Sequence, residues 1–132
     1  MSNETTIATP ITLGRLASRV LSASTLKGDD VYNLKGVRLG DVKEIMMDIQ
    51  SGRVCYVVLS FGGFLSMGEK LFAVPWSALT VDTENQRFVM DVDEERLKEA
   101  PGFDTDKWPN MADQTWENKV HSYYGTQPIT TF

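Results

Sequence analysis

With 132 residues, 42% of them apolar and 23% charged, the chain is sized for one domain around one core, and its composition argues against disorder or membrane residence. A net charge of -5 removes the counterion-release term behind non-specific nucleic-acid affinity. The basic residues Lys35, Arg38, Lys43, Arg53, Lys70 and Arg87 are scattered, so direct nucleic-acid binding is not expected. The lone cysteine, Cys55, excludes an internal disulfide framework and reads as a small buried hydrophobe within an apolar run.

Residues 1–25 read as an amino-terminal arm. Met1-Ser2-Asn3-Glu4 opens neither a basic nor a continuous apolar region, and no apolar stretch reaches the ~20 residues that span a bilayer. A cytoplasmic location without a transmembrane segment is the expectation. Ile11, Leu16 and Val20 have the spacing of a brief helix or a docking arm, which Gly14 weakens.

Residues 26–100 carry a β pattern of short apolar runs between turn signals. Val31-Tyr32-Asn33 forms a first strand. Gly40-Asp41 opens a second, Val42 to Ile49, with Ile45, Met47 and Ile49 on one face; Met46 on the other suggests a bulge or a second packed side. Asp48 is placed to bond a turn amide near Gly52. After the turn Gln50-Ser51-Gly52, Arg53 to Phe61 is a central strand in which Cys55, Val57, Leu59 and Phe61 alternate with Tyr56 and Val58. The glycine-rich Gly62-Gly63-Phe64-Leu65-Ser66-Met67-Gly68 leads into a strand from Lys70 to Trp76, whose Pro75 marks an edge or a bulge. Leu79 to Asp82 and Arg87 to Val92 make a second hairpin. Asp93 caps a short helix through Ala100, which Pro101 stops.

Residues 101–132 form an aromatic-rich extension, beginning as an irregular linker from Pro101 through Pro109. Trp116, Val120, Tyr123 and Tyr124 follow i, i+4, i+7, i+8 spacing behind a cap at Asp113, with Gly125 and Pro128 as stop signals, so an amphipathic helix is predicted near 113–124. A helix this short is marginal alone and needs a surface for its aromatic face, on the same chain or on another.

Chemistry is sparse. The stretch Gly63 to Lys70 departs from a phosphate-binding loop: Glu69 stands where the lysine belongs, Leu71 follows Lys70, and the next element is a strand. His121 has no partner set for metal or nucleophilic work and is placed at a solvent-facing or boundary position. The acidic pairs sit in turns and caps, where adjacent carboxylates are solvated. No catalytic, cofactor-binding or metal-ligating residue is assigned. The candidate interaction residues are Phe64, Met67, Trp76, Trp108, Trp116, Tyr123 and Tyr124, because aromatic side chains dominate interface anchors.

Val31-Tyr32, Leu39-Gly40-Asp41-Val42, Met47-Asp48, Ser51-Gly52-Arg53-Val54, Tyr56-Val57-Val58 and Phe61 through Leu79 together resemble the PRC-barrel family, named for the cytoplasmic domain of the photosynthetic reaction-centre H subunit. Its most specific part is the Gly-Gly-Phe-Leu-x-Met-Gly-Glu-Lys block followed by Val74-Pro75-Trp76. The tail, with Trp108, Trp116 and His121-Ser122-Tyr123-Tyr124-Gly125, is similar to a bacterial stand-alone subgroup, in which glycine is common where Ser66 stands. The resemblance implies a mainly β protein: a small barrel of about six antiparallel strands with a carboxy-terminal amphipathic helix. It further implies a non-enzymatic assembly or docking module. Family contexts include a reaction-centre cap and a ribosomal RNA maturation factor; this chain shows neither the transmembrane helix of the first nor the companion domain of the second.

The expected function is a protein-interaction module, a homodimer or other homo-oligomer, with a further protein partner unknown. The rival readings are a small-ligand or cofactor-binding regulatory protein that uses the rim near Phe64 and Met67, and a ribosome- or RNA-maturation-associated barrel that acts through a protein partner.

Overall fold

A computed structural model of the chain describes residues 20–61 and 70–128. The elements run α1 (Ala23–Leu26), β1 (Asp30–Asn33), β2 (Arg38–Asp48), β3 (Arg53–Phe61), β4 (Lys70–Pro75), a single 3-10 turn at Trp76–Ala78, β5 (Leu79–Asp82), β6 (Arg87–Met90), α2 (Glu94–Lys98), β7 (Phe103–Asp104) and α3 (Gln114–Tyr124). The seven strands form one sheet in the order β5-β6-β1-β2-β3-β4-β7.

The mainly β class with a carboxy-terminal helix is as expected; the strand count and pairing are not. The β5–β6 hairpin joins the free side of β1, where β6 runs parallel to β1 from Asp30↔Arg87 to Asn33↔Met90. A turn pattern announces hairpins but carries no sign of a parallel partner so distant in sequence. The seventh strand lies inside the expected linker: Leu71↔Phe103 and Lys70↔Asp104 pair along the edge of β4. Two residues are too few to show a period.

β2 begins at Arg38, ahead of the predicted Val42, and is bent by bulges. Against β1 the extra residue is Leu39, since Val31 pairs with Gly40 and Tyr32 with Arg38. Against β3, Lys43 is extra on β2 and Cys55 is extra on β3, so the two slips cancel and the register of the hairpin end is restored. Gly40 is required where the strands close up, because a Cβ there would lie 1.9 Å from the backbone oxygen of Ser60.

The bulge at Cys55 corrects the predicted alternation. Val57, Leu59 and Phe61 enter the main core with Phe72, Val74 and Phe88, while Cys55 falls with Tyr56 and Val58 on the opposite face and is only half-buried. Ile49 likewise leaves the predicted apolar face: it lies past the end of β2 in the turn, 90% exposed, and Met47 is 52% exposed. The main core is closed below by Leu97 and Ala100, beside and within α2, whose amino terminus is capped by Asp93 accepting from the Arg96 amide at 2.9 Å. Among the described residues, no helix is long and apolar enough to cross a membrane.

Candidate interaction surface

α3 is built from strong local signals. The Asp113 carboxylate accepts hydrogen bonds from the amides of Thr115 (2.8 Å) and Trp116 (3.4 Å), and the helix ends on Gly125 in the left-handed region at φ 69°. Its apolar stripe lies on the outer face of β3 and β4 of the same chain: Val120 is fully buried among Tyr56, Val58, Leu71, Ala73 and Phe103. The Trp116 ring meets Tyr56 edge-on, with centroids 5.2 Å apart.

The carboxy-terminal end of α3 is clasped to α2. Arg96 donates from its guanidinium to the Tyr123 carbonyl, the Tyr123 hydroxyl donates to the Arg96 carbonyl, and the guanidinium lies 4.4 Å from the centre of the Tyr123 ring. Tyr124 stacks edge-on against Tyr123 at 5.2 Å and packs between the two cores. The structure therefore brings Trp116, Tyr123 and Tyr124 together as intrachain contacts. Burial raises the phenol pKa of both Tyr56 and Tyr124 well above the ordinary tyrosine value.

His121 is not solvent-facing. It is 4% exposed, its Nδ1 lies 2.7 Å from the Thr126 hydroxyl, and its ring sits 5.6 Å from that of Tyr56. Its place beside Val120 on the helix brings it under the sheet, and burial lowers its pKa, which favours the neutral imidazole.

Trp76 stands apart, edge-on to Phe88 at 6.1 Å on the other side of the sheet. Trp108 packs on Phe103 at 5.0 Å, donates from Nε1 to the Thr105 carbonyl at 2.9 Å, and remains 40% exposed. Phe64 and Met67 lie outside the described residues.

A groove of about 390 Å³ opens where the β2–β3 hairpin tip meets the segment before α3. Met46, Met47, Ile49, Cys55 and Met111 give it an apolar wall, with Asp48 and Glu117 at its polar side. The tip is held in shape by Asp48, whose carboxylate accepts from the Gln50 amide at 3.1 Å and the Ser51 hydroxyl at 2.9 Å. The Gly52 amide bonds the Asp48 backbone carbonyl instead. Partial burial, then the negative charge of Asp48, raises the Cys55 thiol pKa, and Glu117 adds to this, so the reactive thiolate is disfavoured. Sequence reasoning missed this groove. Met46 interrupting the alternation was its one visible signal, and Met111 lay in a stretch with no period at all.

Flexible thioethers and a protruding isoleucine suit contact with another apolar surface. Among the described residues, no group of three or more His, Cys, Asp and Glu side chains is gathered to hold a metal ion.

The geometry is that of a small, bent, mainly β module with its own helix laid across one face. The family model for the PRC-barrel domain matches residues 19–97, more than half of the chain, and the chain belongs to that family. The match covers α1 and β1 to β6 and ends within α2, so β7 and α3 lie beyond it. No curated protein matches the chain.

Proposed function

We propose that this protein is a non-enzymatic docking module that assembles through the β2–β3 hairpin tip, first of all with a second copy of itself. The observation that carries the reading is the tip itself, where Ile49 and Met47 stand exposed on the rim of the Met46–Met111 groove. An exposed apolar knob beside an apolar hollow is self-complementary in kind, which a two-fold interface requires. Of the aromatic candidates, Trp108 offers further exposed surface, while Trp116, Tyr123 and Tyr124 use most of theirs within the chain. Membership of a family that is generally non-catalytic supports the same reading.

Light scattering on the full chain and on Met47→Asp/Ile49→Asp tests it. The wild type should give a mass above that of the monomer and fall as it is diluted, and the double variant should be monomeric with an unchanged circular dichroism spectrum. Equal masses for the two would overturn the assignment of the tip.

A further inference from the structure

On the side of the sheet away from α3, a second apolar groove of about 360 Å³ is walled by Leu21, Leu26, Ile45, Val54, Trp76 and Val81. Its volume falls in the ~300–1,000 Å³ range of small-molecule sites. A cavity of about 210 Å³ adjoins it, sharing Leu21, Leu26, Val81 and Thr83 and adding Asp29 and Asp82. None of these residues lines the groove at the hairpin tip.

The two acids differ in what they hold. The Asp82 carboxylate is satisfied within the β5–β6 hairpin, by the Arg87 guanidinium at 3.1 Å and the Asn85 side-chain amide at 2.8 Å. The Asp29 carboxylate makes no ion pair among the described residues, although its backbone is pinned on both sides. Its amide donates to the Leu26 carbonyl at 3.2 Å, and its carbonyl accepts from the Val42 amide at 2.9 Å. Two cations nearby in the sequence are engaged elsewhere, Lys27 by Glu44 at 3.2 Å and Arg38 by Asp30 at 2.9 Å. Partial burial, then the charge of Asp30, raises the Asp29 pKa, and a cation held at this carboxylate offsets both.

We propose that this joined hollow binds a small arylalkyl ammonium compound, its apolar body along the wall beside Trp76 and its ammonium group at the Asp29 carboxylate. The wall rewards burial of an apolar body, and Trp76 adds an aromatic ring for it to pack against. A compact ammonium suits a single carboxylate, with which it forms a charge-assisted hydrogen bond. An inorganic cation would find one unpaired carboxylate and an apolar wall in place of a cage of oxygens. A neutral ligand would take water from Asp29 without replacing it, and an anion would meet two carboxylates.

The test is a titration of the full chain with phenethylammonium chloride, followed by amide chemical shifts, with phenethyl alcohol and hydrocinnamate as the neutral and anionic counterparts. Shifts should centre on Val81 and Thr83 and leave Ile49 at the hairpin tip unmoved. The ammonium compound should bind about tenfold more tightly than the alcohol, and hydrocinnamate more weakly than either. Asp29→Asn should bring the ammonium compound to the affinity of the alcohol and leave the alcohol unchanged. Ala23→Trp, which fills the groove from an exposed position on α1, should weaken both. Absence of binding, equal affinities for the ammonium compound and the alcohol, indifference to Asp29→Asn, or shifts centred on the hairpin tip would each overturn the proposal.

Discussion

On the inner face of β3 and β4, Val57, Leu59, Phe72 and Val74 are covered by side chains from the rest of the sheet and from α2, so no single element is indispensable to their burial. On the outer face, Tyr56, Val58, Leu71 and Ala73 depend on one helix of 11 residues and the segment leading into it. An isolated helix of that length is marginal in water, so helix and outer face stabilise each other or neither stands. The same two strands thus have one face secured by the family's β unit and another secured by an extension beyond it. The extension does locally what a partner protein would do for an exposed sheet, and it meets the hairpin tip along one groove while leaving Met47 and Ile49 exposed.

The contrast predicts unequal mutational costs. Phe72→Ala on the inner face should cost about 3–5 kcal/mol in urea unfolding, because surroundings fixed on all sides cannot collapse into the cavity. Val120→Ala on the outer face removes two buried methyl groups and should cost about 2 kcal/mol, since the helix can shift to fill part of the space. Equal costs would break the distinction. Asp113→Ala should cost about 1 kcal/mol through loss of the cap, and helical circular dichroism should fall with it.

Acid sharpens the same comparison. Burial lowers the folded pKa of His121, so its contribution is complete above the unfolded value of about 6.5 and is lost as pH falls below it, when the unfolded chain takes up a proton more readily. Between pH 7 and 5 the wild type should lose more stability than His121→Gln, measured by the urea midpoint; matching slopes would show that His121 is not buried as described. The smallest effect is expected at Tyr56. Its hydroxyl is buried without a hydrogen-bond partner among the described residues, so Tyr56→Phe should change stability by less than about 0.5 kcal/mol. The late, unfolding-linked phase of an alkaline absorbance titration should shrink with it, because burial raises that phenol's pKa.

What could be read from the chain was what local chemistry encodes. Asp93 and Asp113 announced the starts of α2 and α3, Gly125 announced a stop, and the turn at Gln50-Ser51-Gly52 fixed the central hairpin. The tail stripe named the residues of α3 that become buried but not the surface that buries them, because an amphipathic face carries no address. The parallel β1–β6 pairing, the edge strand at Phe103 and the bulge at Cys55 all depend on partners distant in sequence. The hairpin-tip groove was illegible for the same reason: Met111 is joined to Met46 and Cys55 only by the fold. Aromatic spacing alone does not say whether a ring meets its own chain or another; Trp116, Tyr123 and Tyr124 make contacts within the chain.

The central claim is that the tail helix covers the outer face of its own chain. A nuclear Overhauser experiment on an equal mixture of isotope-labelled and unlabelled protein tests it at the Tyr56–Trp116 ring contact. The account predicts that this contact appears only in the spectrum selecting pairs within one chain. Its appearance in the spectrum selecting pairs between chains would show that the helix is exchanged between partners, and would contradict the account.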